Sequence, residues 1–198
     1  VAQTFFGIRL QCAQCHNHPF ERWTMDDYYS FASFFAQVGR KQSSDPRETI
    51  VFNKGSGEVT NARTGKPIGP RFLGGEDVDA KGRDRRAVLA EWLTAPENPW
   101  FAQNIANRVW AHFFGRGIID PVDDVRVSNP PSHPELLEAL AEKLVSYNYD
   151  VRQLIRDICN SHTYQQATRP RDPAADSPRN FSRASLRRLP AEQLLEIG

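Results

Sequence analysis

Two cysteines and two histidines lie within seven residues near the start of the chain, as Cys12, Cys15, His16 and His18. Their first three members spell Cys-x-x-Cys-His, the attachment signature of c-type haem. In that chemistry each thiol adds across a haem vinyl group to form a thioether, and the adjacent neutral imidazole ligates the iron. We therefore predict Cys12 and Cys15 as thioether anchors and His16 as the proximal ligand of haem c.

The second axial ligand is a separate question. Low-spin electron carriers usually add a Met or a second His on the opposite face of the haem, and Met25, nine residues after His16, is the only methionine of the chain. His18 is too near His16 in sequence to reach that face easily, so we expect it to hydrogen-bond a propionate or a backbone group. The more distant histidines are His112, His133 and His162. With no sixth ligand, the iron would favour small-molecule chemistry or sensing over simple electron transfer.

The same stretch allows two other interpretations. Cys-x-x-Cys is also half of a tetrahedral zinc cage, and Cys159 with His162 could complete a Cys3His set because they have the spacing Cys-x-x-His. Alternatively, Cys12 and Cys15 are two buried thiols or one disulfide, since cysteine is often buried even without a function. Either alternative would make the chain a haem-free structural or interaction module stapled by its Cys/His cluster.

Composition narrows the class of protein. The 25 Lys and Arg residues nearly balance the 24 Asp and Glu residues, which argues against nucleic-acid binding because such domains concentrate positive charge. The basic stretch at 179–188 is better explained as a solvated loop. No apolar run has the length of a membrane-spanning helix.

The length of 198 residues allows one large domain or two small ones. Because the chain begins at Val1 and ends just after an apparent helix start, we expect it to be a piece of a longer protein. The lack of a signal peptide in this piece then says nothing about export.

The residues after the motif predict a helix and then a change of character. Thr24 and Asp27 form a variant capping box, and apolar residues at helical spacing run to Val38, with Gly39 closing the helix. The aromatic members of this stripe, Tyr28, Phe31 and Phe35, could line a cofactor pocket or form ordinary core. Residues 42–83 read as a β-hairpin, with strands at 49–52 and 58–60, followed by an irregular arm.

Residues 84–198 read as a helical domain. The predicted N-caps are Asp84, Asn98, Ser132 and Asp150, and a last helix begins at Leu189. On the helix after Asn98, the polar residues Asn104, Arg108 and His112 follow one another at four-residue steps. They could line a hydrolase site for polysaccharides or sulfated sugars, although a solvated or packing face is the favoured explanation.

Three segments of the chain resemble a known family. They are residues 11–20 (QCAQCHNHPF) with Trp23 and 27–29 (DYY), residues 107–117 (NRVWAHFFGRG), and residues 130–136 (PPSHPEL). Together they resemble a family of planctomycete proteins that carry a cytochrome-like domain followed by a second domain of unknown function. Such domains often lie downstream of a separate c-type cytochrome domain in the same secreted protein.

The resemblance implies a location in the periplasm or at the cell surface, and a redox partner or fused c-type cytochrome domain. Cys12, Cys15 and His16 match the motif of the family, whereas Cys159 and His162 match none of its motifs. We therefore predict a mainly α-helical protein. Residues 1–41 would close a cytochrome-like segment, 42–83 would hold a small β-hairpin insertion, and 84–198 would open a helical second domain. The expected function is that of an exported c-type haem protein in electron transfer.

Overall fold

Helices dominate the computed structural model of the chain, which describes residues 1–98, 100–169, 176–186, 188, 191–192 and 195. The α-helices are α1 (Met25–Ala32), α2 (Arg85–Thr94), α3 (Phe101–Phe114), α4 (Pro134–Ser146) and α5 (Val151–Asn160). The strands are β1 (Val38–Gln42), β2 (Thr49–Asn53), β3 (Val59–Thr60) and β4 (Pro67–Ile68). The prediction of a mainly helical protein with a small antiparallel β element is confirmed.

The predicted strand pairing is wrong, because β2 and β3 do not pair with each other. Instead β1 pairs with β2, with Val38 opposite Asn53, and β3 pairs with β4. The tight turn of the first hairpin lies at Asp45, whose carboxylate accepts a hydrogen bond of 2.9 Å from the backbone N–H of Arg47. Asp45 and Pro46 in sequence favour a turn at this point, which places the hairpin before β2 rather than after it.

The first helix is also shorter than predicted. It ends at Ala32, and a 3₁₀ turn at Ser33–Phe35 follows. The Ser33 hydroxyl donates a buried hydrogen bond of 2.9 Å to the Ser30 carbonyl, a local alternative to continuing the helix. Gly39 does not close the helix but lies in β1, where a Cβ atom would stand 2.6 Å from the ring of Phe52. An alanine there would have to displace the ring of Phe52, which lies over Gly39 from the neighbouring strand.

The predicted helix caps are mostly confirmed. Thr24 and Asp27 form the reciprocal capping box of α1, and the Asp84 and Asp150 carboxylates cap α2 and α5. The Asn98 side chain accepts hydrogen bonds of 3.1 Å from the first backbone N–H groups at α3.

Two predictions near helix starts have other outcomes. Ser132 does not cap α4, because His133 holds the N-cap position and the Ser132 hydroxyl donates to the carbonyl of Ile118 at 3.1 Å. Most of the predicted helix from Leu189 lies outside the described residues.

The chain divides into two units, Val1–Phe101 and Ala102–Gly198, each with its own apolar core. The core of the first unit is rich in aromatic side chains, among them Phe6, Trp23, Phe31 and Phe34. The core of the second unit includes Trp110, Phe114, Leu144, Leu154, Ile158 and Phe181. No helix among the described residues is both long and apolar enough to cross a membrane.

Candidate functional site

The Cys-x-x-Cys pair lies on a 3₁₀ turn at Leu10–Gln14, and Cys15 is its C-terminal cap. A 3₁₀ helix has about three residues per turn, so residues i and i+3 lie one above the other. Leu10 and Ala13 share the inward face and are buried. Cys12 and Cys15 share an outward face, where both thiols are exposed and free. The thiols are therefore neither buried nor joined in a disulfide.

The imidazole of His16 is exposed and held by one backbone contact. Its Nδ1 lies 2.7 Å from the carbonyl oxygen of Asn17. A carbonyl only accepts, so Nδ1 must carry the proton, and the lone pair of Nε2 is left available. Metal-binding histidines commonly have this arrangement, because the second hydrogen bond sets the tautomer and the ring orientation.

Three further hydrogen bonds fasten residues 12–18, which we call the Cys/His segment, to the residues that follow them. The Asn17 side chain accepts from the backbone N–H of Met25 at 3.2 Å, at the first residue of α1. The Tyr29 hydroxyl donates to the carbonyl of Gln14 at 3.0 Å. The backbone N–H of His18 donates to the carbonyl of Trp23 at 2.8 Å. These hydrogen bonds hold the segment against α1 and against Trp23, which precedes it.

Asn17 and Tyr29 were not singled out from the sequence. Their partners are eight and 15 positions away, beyond the three- and four-residue spacings from which helix neighbours are recognised. Capping signals are local and do not point to Asn17, because it lies seven positions before Thr24, the N-cap of α1.

The other predicted ligands have distinct surroundings. Met25 is buried, with 9% of its surface exposed, whereas His16 is exposed; Met25 as sixth ligand stays a prediction. His18 is half-buried, and its Nδ1 accepts a hydrogen bond of 3.3 Å from the backbone N–H of Phe20, which matches the expected contact with a backbone group.

An open apolar groove lies beside Leu10 and Gln11, just before Cys12, and neither cysteine nor His16 lines it. Its volume is about 330 Å³, and its lining includes Leu10, Gln11, Tyr28, Phe31 and Phe35. Cofactor pockets usually measure about 300–1,000 Å³ and are lined mainly by apolar and aromatic side chains. The aromatic stripe of α1 therefore serves in part as core, through the buried Phe31, and in part as the wall of this groove.

The residues of the zinc alternative belong to different units. Cys12 and Cys15 lie in the first unit, and Cys159 and His162 lie in the second. Within the part of the chain that the structure describes, no group of three or more His, Cys, Asp or Glu side chains could hold a metal ion. Cys159 is half-buried, and burial raises the pKa of its thiol. The zinc set stays a prediction.

The polar residues of α3 do not form one accessible face. Asn104 is buried with 2% of its surface exposed, Arg108 is half-buried, and His112 is exposed. Since Asn104 is shielded from solutes, this stripe gives little support to a hydrolase site.

Comparisons with known proteins agree with the predicted pairing of two domains of unknown function. A family model described as PSCyt2, Protein of unknown function (DUF1549), matches residues 1–40. A second, described as PSD1, Protein of unknown function (DUF1553), matches residues 85–197, more than half of the chain. Neither a curated protein nor a solved structure matches the chain.

Proposed function

We propose that this chain, which belongs to the PSD1 family of proteins of unknown function (DUF1553), forms part of an exported c-type haem protein that transfers electrons. The observation that carries the proposal is the shared, exposed face of Cys12 and Cys15 on one 3₁₀ turn. Covalent attachment needs two free thiols that one haem can reach together. A turn that buries Leu10 and Ala13 and leaves both thiols outside supplies that arrangement.

His16 is the proposed proximal ligand. It directly follows Cys15, and its Nδ1 donates to the carbonyl of Asn17, so Nε2 is the nitrogen that would bind iron. A hydrogen bond of this kind also raises the basicity of a ligating imidazole. Bound haem would supply a one-electron redox centre whose potential depends on its ligands and on its burial.

The groove lined by Leu10, Tyr28 and Phe35 offers apolar surface near the motif in sequence, although Cys12, Cys15 and His16 do not line it. The proposal therefore rests on the exposed thiols and on His16 rather than on this groove. Haem is attached to apocytochromes outside the cytoplasm, so we place the protein in the periplasm or at the cell surface. Its electron partner would be a separate redox protein or a c-type cytochrome domain fused to the same chain.

The test is a pyridine haemochrome spectrum of the full-length protein, produced in a host with the haem-attachment machinery and extracted with acidified acetone. We expect haem to survive extraction in the wild type and in Cys159→Ala, the matched control from the second unit. The double change of Cys12→Ala and Cys15→Ala should remove it. Absence of covalent haem from the wild type, or its retention in the double variant, would refute the proposal.

The role of His16 needs its own pair of variants. In His16→Ala the thioethers should still form, but the Soret and α bands should shift because the proximal ligand is lost. The matched variant His18→Ala should keep the wild-type spectrum, since His18 already bonds the backbone of Phe20. Identical spectra for His16→Ala and the wild type would remove His16 from the ligand set.

A haem-free structural module is the second candidate. It is favoured by the hydrogen bonds of Asn17, Tyr29 and His18, which tie the Cys/His segment to the residues in and just before α1. This candidate predicts no haem, and its metal-free form predicts unchanged thermal stability in the Cys12 and Cys15 variants. One equivalent of zinc by elemental analysis, lost on changing Cys12, Cys15, Cys159 or His162, would select its zinc-bound form.

A further inference from the structure

A small pocket in the second unit brings together two arginines that are distant in sequence. Its volume is about 130 Å³. Arg116 follows the C-terminal end of α3, and Arg179 lies in the 3₁₀ turn Pro178–Asn180. The remaining lining includes Asp120, Asn129 and Ser132.

Arg179 reaches the pocket because the residue two positions later is anchored in the core. Phe181 has only 6% of its surface exposed. The centroid of its ring lies 5.2 Å from that of Trp110, in an edge-to-face arrangement, and 5.4 Å from that of Phe114. On the same segment Arg183 pairs with Asp176 at 2.9 Å. The turn that carries Arg179 is therefore fixed against the second unit.

The charges around the pocket do not balance. Arg116 Nε pairs with the Asp120 carboxylate at 3.2 Å, and Asp120 is the one acidic residue among the lining residues described. Two arginines and one aspartate among the lining residues leave one positive charge in excess. Guanidinium is planar and presents paired N–H donors, which match the oxygens of carboxylate, phosphate and sulfate.

The neutral polar residues leave the arginines as the main donors. The Ser132 hydroxyl donates to the carbonyl of Ile118 at 3.1 Å, and the Asn129 amide donates to the carbonyl of Asp124 at 2.9 Å. Any ligand in the pocket is thus recognised chiefly by Arg116 and Arg179. An anion would offset the excess positive charge.

The size of the pocket selects a small group. The volume of about 130 Å³ leaves room for a few waters or one small polar group. Whole-cofactor pockets start at about 300 Å³. We propose that Arg116 and Arg179 form a binding site for one oxyanion group, a carboxylate, phosphate or sulfate, either free or as the end of a larger ligand.

The test is calorimetric titration of the full chain with sodium acetate, inorganic phosphate and sodium sulfate at constant ionic strength. We expect at least one anion to bind saturably with one site, and the order of affinities to identify the preferred group. Arg179→Gln should weaken that binding by about tenfold or more, because it removes a charged hydrogen-bonding partner. Arg179→Lys should restore it only in part, since the ammonium lacks the paired donors.

Arg156→Gln is the matched control, because Arg156 is an exposed arginine on α5 of the same unit. It should stay within twofold of the wild type. Arg116→Gln should also lose binding, and circular dichroism should show that each variant is folded. No saturable binding of any of the three anions, or equal affinity in Arg179→Gln and the wild type, would overturn the proposal. Neither result depends on whether the first unit carries haem.

Discussion

The side chain of Asn107 and the backbone of Ile119 exchange two hydrogen bonds inside the second unit. Asn107 Nδ2 donates to the Ile119 carbonyl at 2.9 Å, and the Ile119 N–H donates to Asn107 Oδ1 at 3.0 Å. Asn107 is fully buried. Its amide thus replaces the backbone partner that a strand would supply, and fixes the loop after α3 to the helix.

Replacing Asn107 with Ala should destabilise the protein strongly. The change leaves one buried donor and one buried acceptor of Ile119 without partners, and each costs about 1–3 kcal/mol. We expect a loss of about 2–6 kcal/mol in the free energy of unfolding, measured by urea denaturation. Asn160→Ala, at an exposed site at the end of α5, should cost less than about 0.5 kcal/mol. Equal losses in the two variants would show that the paired hydrogen bonds contribute little.

The two glycines around Arg116 should respond differently to alanine. At Gly117 a Cβ would overlap the carbonyl oxygen of Ile119 and approach Asn107 Oδ1 to 3.0 Å. Overpacking usually lowers the free energy of unfolding by about 1–3 kcal/mol, and the loss in Gly117→Ala should reach or exceed the upper end of that range. At Gly115 nothing lies near the added atom, but φ is +75°, so the cost should be about 1–2 kcal/mol. Thermal unfolding of the two variants would test this order, and a larger loss at Gly115 would contradict it.

Tyr29→Phe should loosen the segment that carries the cysteines. It removes the hydrogen bond to the Gln14 carbonyl and should cost about 0.5–1.5 kcal/mol. Tyr28→Phe is the matched control, because no hydrogen bond of its hydroxyl is found among the described residues. We expect faster amide exchange over residues 10–18 in Tyr29→Phe alone. The interpretation fails if both variants exchange at the wild-type rate.

The three thiols should differ in reactivity before any cofactor is attached. Cys12 and Cys15 are exposed, whereas Cys159 is half-buried and burial raises the pKa of its thiol. Since the thiolate is the reacting species, iodoacetamide at pH 8 should label Cys12 and Cys15 first and Cys159 later. Mass spectrometry of digested samples over time would show the order. Labelling of Cys159 at the same rate would place its thiol at the surface.

Asp157 should contribute to acid sensitivity of the second unit. Hydrogen bonds from Lys143 and from the Tyr147 hydroxyl, each 2.7 Å long, lower the pKa of its carboxyl below the usual value. Because the pKa is lower in the folded state, this carboxyl stabilises the fold at pH values above its pKa in the unfolded chain, about 3.9. The stabilisation is lost as the pH falls through the pKa of the folded state. The effect is small because the side chain is one-third exposed.

Urea denaturation between pH 2 and pH 7 measures this contribution. Asp157→Asn should lower stability at pH 7 and flatten its fall in acid. Glu138→Gln, an exposed carboxyl on α4, should leave the profile close to that of the wild type. An unchanged profile in Asp157→Asn would show that this carboxyl does not contribute to the loss of stability in acid.

Short-range features were determined by the sequence alone. The capping pairs at Thr24, Asp84 and Asp150 are recognisable because each cap contacts a backbone group only two or three residues away. The same locality made Cys12, Cys15 and His16 recognisable as one chemical group. Their identity and spacing do not depend on the rest of the fold.

Only the tertiary structure decided which distant groups meet. The sequence spacing did not determine whether β2 pairs with β1 or with β3, because strand propensity is a local property that does not specify the partner strand. It also could not show that Leu10 and Ala13 pack inward and leave both thiols outside, or that Phe181 brings Arg179 to Arg116. Such contacts depend on how apolar side chains fill a shared core, which is a property of the whole chain rather than of neighbouring residues.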